Sequence, residues 1–169
     1  MSFIGLPLRL EMLATRKAIW RVMSEYSYNG DGFSVKVPNA WITDLTSIPW
    51  WIPFVKREGE HTPASVVHDV VYAKGEVTKY GEAVEVDRLF ADRDVYLRAM
   101  EVRNTPPPRR NVIYWGVRLG GWYSWGRYRR KQGREEIKGK ANIEVAPLPQ
   151  EQKQAAQASP IQEKGPIDD

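Results

Sequence analysis

The 169-residue chain has no cysteine, which excludes a disulfide framework and any thiolate metal site. It has only two histidines, His61 and His68, so a bound metal would need oxygen ligands or these two rings. No stretch approaches the roughly 18 consecutive apolar residues of a membrane-spanning helix. The opening MSFIGLPLRLEMLATRK lacks the charged-then-apolar order of a signal peptide, and the product is expected to be soluble when made. Large apolar side chains almost vanish after Leu148, leaving Ile161 and Ile167 among Gln, Ala and Pro. Such a composition cannot offset its ordering entropy by burial, so residues 141–169 are expected to be a tail, flexible or ordered by a partner. Acids are missing from 103–134, where nine bases stand among Tyr114, Trp115, Trp122, Tyr123, Trp125 and Tyr128.

What is present suffices for one core. Hydrophobic residues make up 42% and charged ones 27%, the balance of an ordinary globular domain, here 1–140. The net charge of +4 hides an asymmetry: 1–140 carries 23 bases against 16 acids, and 141–169 two against five.

Residues 19–28, rich in Trp, Val and Tyr, are followed by the turn Asn29-Gly30-Asp31-Gly32 and by the alternating Phe33–Val37, which predicts a β-hairpin. From Thr62 the period becomes helical. Thr62-Pro63 reads as a cap with proline in the first turn; Val66, Val67, Val70 and Val71 form an apolar face, and Gly75 ends the helix. A second helix is expected from about Glu82 to Met100, with Val86, Phe90, Leu97 and Met100 as its stripe and Asp92 on a polar face. A third should span 109–131, bent or broken at Gly120-Gly121. The expectation is an α+β fold: a small N-terminal antiparallel hairpin or sheet packed on two or three helices, with an extended C-terminal tail.

The sharpest chemical feature is His68-Asp69-Val70-Val71-Tyr72. On a helix His68 and Tyr72 share a face, while Asp69 points about 100° away. An adjacent His-Asp pair is costly to bury unless it is paired or functional. Two antiparallel helices would bring Asp87 to the ring of His68, where a carboxylate fixes the tautomer and raises the basicity of the far nitrogen. His68 and Asp87 are thus candidate catalytic base and orienter. The bland alternative is a chance pair on a structural helix.

This pattern resembles the two-helix active-site core of secreted phospholipase A2, especially its bacterial and fungal branch, with His-Asp-x-x-Tyr on one helix and an Asp facing it from the next. The resemblance covers about residues 44 to 100. It implies that His68 activates water, Asp87 orients it, and Asp69 and Asp44 are calcium ligands. The disulfides and glycine-rich calcium loop of that family are absent here. A broader set of motifs, Thr43-Asp44-Leu45-Thr46-Ser47-Ile48-Pro49, then Ala64–Tyr72, Val86–Phe90 and Tyr114–Gly121, is similar to a family of uncharacterised domains found mostly in tailed bacteriophages and prophages. That resemblance implies a phage origin. Asp44 and Ser47, in a loop closed by Pro49, are expected to approach the N-terminal part of the first helix or the same cavity; the plain alternative is that they satisfy loop backbone groups.

The basic aromatic segment admits nucleic-acid binding, membrane-surface binding, or rings that cover the core beside arginines that dock a neighbour. Trp50, Trp51, Arg127, Arg129 and Arg130 are the candidate interface residues. The leading expectation is a tailed-phage protein, made in the bacterial host cytoplasm and carried in the virion, in the tail apparatus or at an assembly interface, and acting at the host envelope. It would contact other virion proteins, a second copy or the host envelope. A calcium-dependent hydrolase of phospholipase A2 type acting on envelope lipid is the alternative, and nucleic-acid binding through 103–134 is the third.

Overall fold

Alternation decides the N-terminal half. Tyr26, Tyr28, Val35 and Val37 point inward from two strands whose intervening residues point out, so β-pairing buries one face. In the computed structural model, which describes residues 1–14, 19–45 and 59–144 (side chains of 14 and 136–144 excepted), these strands belong to a five-stranded antiparallel sheet. Numbered along the chain, the strands are β1 (Ser2–Ile4), β2 (Leu10–Ala14), β3 (Ile19–Val22), β4 (Tyr26–Asn29), β5 (Ser34–Val37), β6 (Ile42–Thr43), β7 (Glu76–Lys79) and β8 (Glu82–Glu85). The larger sheet has the order β1-β4-β5-β7-β8, and β2-β3-β6 form a second. The expected hairpin is β4–β5, with Tyr28 opposite Val35 and Gly30 N–H bonded to Phe33 O at 2.8 Å.

The first helix, α1 (Thr62–Lys74), lies where the valine pattern puts it. Val66, Val67, Val70 and Val71 are buried, each contributing about 1.5–3 kcal/mol relative to exposure. Thr62 is its first residue rather than its cap; the threonine hydroxyl accepts from Gly59 N–H at 2.8 Å. At the other end Gly75 is left-handed, with φ of 73°, and Arg129 fills the space a Cβ would need.

The second helix starts six residues later than expected. Residues 82–85 form β8, paired with β7 around Tyr80-Gly81, whose φ values of 52° and 87° suit a tight hairpin turn. The helical run then comprises α2 (Arg88–Phe90), a π-helical stretch (Ala91–Leu97) and α3 (Arg98–Val102). The last helix, α4 (Pro107–Glu144), passes Gly120-Gly121 without a break. It therefore also takes in residues 141–144, expected to be tail, while 145–169 lie outside the described residues. Contacts divide the chain into a body, Met1–Lys131, and a second unit from Gln132. In the body, α1 packs against β5 and the π stretch, and Val95, Tyr96, Ala99, Met100 and Ile113 complete the core. The architecture is α+β.

Candidate functional site

Two faces of α1 carry the chemistry, because His68 and Asp69 are 100° apart on it. His68 faces the π stretch. Its Nε2 lies 2.8 Å from Oδ1 of Asp92, and the Tyr72 hydroxyl donates to the same oxygen at 2.6 Å. Arg118 of α4 donates to Oδ2 at 2.7 Å, and Arg88, one turn before Asp92, lies 3.5 Å from it. The His68 ring stacks on Tyr96, centroids 4.5 Å apart, and tilts against Tyr72 at 4.1 Å. Tyr96 in turn shares a 2.8 Å hydrogen bond with Ser65.

Asp92 is 0% exposed and His68 6%. Burial alone would push the Asp92 carboxyl up, but hydrogen bonds from His68, Tyr72 and Arg118 outweigh it and hold the group below the usual carboxylate range. Burial lowers the His68 imidazole, against the opposing pull of Asp92. Two guanidiniums already balance the carboxylate, so the ring stays neutral. An ionised carboxylate only accepts; Nε2 therefore carries the proton, and Nδ1 keeps the lone pair a base requires.

The carboxylate facing His68 is therefore Asp92, not Asp87. Asp87 is exposed and caps α2, accepting the Phe90 N–H at 2.7 Å. Once β8 takes residues 82–85, the helix begins at 88 and the residue that turns toward α1 is Asp92. The sequence signal that could have found it is Arg88-x-x-x-Asp92, an i,i+4 pair that reads equally well as a solvated one.

Asp69 faces the other way, toward β6. The Thr43 hydroxyl donates to its Oδ2 at 2.5 Å and also accepts the Leu45 N–H at 3.1 Å. Burial pushes the Asp69 carboxyl up to about 7; the Asp44 charge adds to this and the Thr43 bond opposes it. Tyr128 of α4 is within electrostatic reach, its hydroxyl raised by burial and then by Asp69 and Asp44. The loop with Asp44 thus approaches α1 at its middle rather than at the N-terminal part expected; Ser47, Trp50 and Trp51 lie outside the described residues. No three His, Cys, Asp or Glu side chains gather as a metal set among the described residues. Asp44 and Asp69 offer two carboxylates, against the six to eight oxygens that calcium takes. Calcium also draws oxygens from backbone carbonyls and water, residues 46–58 beside Asp44 lie outside the described residues, and no chemical step below passes through a metal.

Of the expected interface arginines, Arg127 and Arg130 are exposed but Arg129 is not free. It donates to the Tyr72, Ala73 and Lys74 carbonyls at 2.7–3.1 Å, closing the C-terminus of α1, and lies 4.7 Å over the Trp125 ring. An open groove of about 550 Å³ sits at the other end of α1, lined by Leu6, Leu8, Leu10, Trp20, Thr62 and Arg103. Thr62 is about 9 Å from His68 along the helix axis.

A family model of proteins of unknown function, DUF1353, matches residues 20–117, more than half of the chain and all of the His68–Asp92 network but Arg118. The chain belongs to the DUF1353 family. No curated protein and no solved structure matches it. In this DUF1353 chain the matched span runs from within β3 into α4, and so includes both faces of α1.

Proposed function

We propose that the protein is a hydrolase of phospholipase A2 type, acting on envelope lipid. His68 is the general base and Asp92 its orienting carboxylate. The observation that carries this reading is the contact between His68 Nε2 and a fully buried Asp92 that also takes the Tyr72 hydroxyl. It is the arrangement the His-Asp-x-x-Tyr resemblance calls for, with Asp92 in the role first given to Asp87. Nδ1 of His68 takes a proton from water, the resulting hydroxide adds to the ester carbonyl, and the ring returns the proton to the departing alkoxide. Asp92 and Tyr96 fix the ring against rotation. The groove at the N-terminus of α1 offers the apolar side chains of Leu6, Leu8, Leu10 and Trp20 to an acyl chain.

The test is release of fatty acid from phospholipid vesicles by the full chain and by His68→Gln. Loss of a general base should lower the rate by about 10²–10⁴. Equal rates in the two proteins, or no release from any phospholipid class by the unaltered chain, would overturn the proposal. The origin we propose, a tailed-bacteriophage virion, rests on the motif set from Thr43 to Gly121. Detecting the protein in purified particles tests that part separately.

A further inference from the structure

The basic aromatic helix leaves a face uncovered. At 100° per residue, Val112, Trp115, Leu119, Trp122 and Tyr123 fall within an arc of about 100° on α4. The opposite side, with Ile113, Val117, Gly121 and Trp125, turns toward the body. Trp115, Leu119, Trp122 and Tyr123 are 58–70% exposed, so these rings do not cover the core. Together the five present roughly 600 Å² of largely apolar surface, at the upper end for a monomer's largest patch.

Charge says what covers it. Among the bases of 103–134, Arg109 and Arg110 pair with Glu60 and Glu101, Arg118 with Asp92, and Arg129 with α1 carbonyls. Arg127 and Arg130 are exposed, have no acidic partner among the described residues, and extend this side of the helix one and two turns beyond Tyr123. A second copy would set this acid-free stretch against itself, and like charges oppose that. The face is also a convex helix ridge, so it suits a soft surface better than a keyed partner. Trp and Tyr beside Arg are the residues that sit at a lipid headgroup boundary.

We propose that the Val112–Tyr123 face of α4, with Arg127 and Arg130, docks the protein onto an anionic lipid surface. The helix lies in the plane of the interface, with the indoles among the acyl ends of the headgroups and the guanidiniums on lipid phosphates. This does not rest on the hydrolase reading.

The full chain is mixed with vesicles of ether-linked phosphatidylglycerol and phosphatidylcholine, whose chains a hydrolase cannot release, and with vesicles of ether-linked phosphatidylcholine alone. Co-sedimentation and the blue shift of tryptophan fluorescence report binding. Binding should require phosphatidylglycerol and weaken with salt. Trp115→Ser/Trp122→Ser, at exposed positions, should lose it at least tenfold. Arg127→Gln and Arg130→Gln should each weaken it roughly fivefold, from ~1 kcal/mol per basic residue near such a surface. Failure to bind the anionic vesicles, equal binding to both kinds, or binding untouched by the tryptophan changes would overturn the proposal. So would a dimer in light scattering, or a complex with single-stranded DNA, that the same tryptophan changes abolish while vesicle binding survives. Loss of hydrolysis in His68→Gln with vesicle binding intact separates the two readings.

Discussion

Replacing Asp92 by Asn keeps the shape of the side chain and removes its charge. In the native network that charge faces two guanidiniums, Arg118 at 2.7 Å and Arg88 at 3.5 Å, each about three-quarters buried, and two neutral donors, His68 and Tyr72. The neutral donors can partly adapt, since the imidazole can change tautomer and a hydroxyl can accept. The guanidiniums cannot. Removing one partner of a buried ion pair costs about 3–5 kcal/mol. Both arginines keep some access to water, which places the expected loss near the lower end, about 3 kcal/mol. Set against a total of roughly 5–15 kcal/mol, this lowers the melting temperature by about 10 °C for a body of this size. Urea unfolding followed by circular dichroism measures it, with the slope m unchanged. Arg118→Met added to Asp92→Asn should recover part of the loss, giving a coupling energy of about 1–3 kcal/mol. A loss below 1 kcal/mol for Asp92→Asn, or strictly additive effects in the double variant, would refute the claim that this carboxylate is held ionised by the arginines.

Stability should also respond to pH with two opposing signs. The imidazoles of His61 and His68 are lowered, chiefly by burial, so the unfolded chain binds protons first and stability falls as pH drops below about 6.5. Asp69, raised to about 7, works the other way: its contribution is complete below pH 3.8 and is lost as pH rises through 7. Asp69→Asn should therefore leave stability at pH 4 nearly unchanged, raise it by about 1–3 kcal/mol at pH 8, and steepen the acid decline; melting curves across pH check all three. Arg129→Met removes three hydrogen bonds to the last carbonyls of α1 and should cost about 2 kcal/mol in urea unfolding, with amide exchange speeding first in α1. A Cβ at residue 121 would stand 2.5 Å from the Tyr72 hydroxyl, so Gly121→Ala should push that ring off Asp92 and lower stability, by about 1–3 kcal/mol, despite alanine's better helix propensity.

The hairpin at 26–37 and α1 were legible because each has a strict period and its own punctuation: the Asn-Gly-Asp-Gly turn for one, the Thr-Pro start and Gly75 stop for the other. The β7–β8 hairpin was not, since Glu82-Ala-Val-Glu85 is a good helix former by composition and is held extended by pairing with Glu76–Lys79. That shift by six residues displaced the carboxylate assignment from Asp87 to Asp92. Gly120-Gly121 failed to break α4 because Gly121 is there for the close approach of Tyr72, a tertiary reason that propensity does not carry. His68, Asp69 and Asp44 were singled out by their motifs, and the structure places His68 beside a carboxylate and Asp44 near Asp69. Arg118 and Tyr96 were invisible as site residues because they reach His68 and Asp92 across some 25 to 30 positions of sequence.

The central claim is that His68 acts as a base through Asp92. The most direct measurement is fatty-acid release from phospholipid vesicles by Asp92→Asn and Asp87→Asn, each assayed well below its own melting temperature. Asp87→Asn loses no more than a helix cap, a role asparagine fills nearly as well, and should keep the rate of the unaltered chain within about twofold. Asp92→Asn should lose it by 10²-fold or more. Equal rates for the two variants, or a greater loss in Asp87→Asn, would contradict the account.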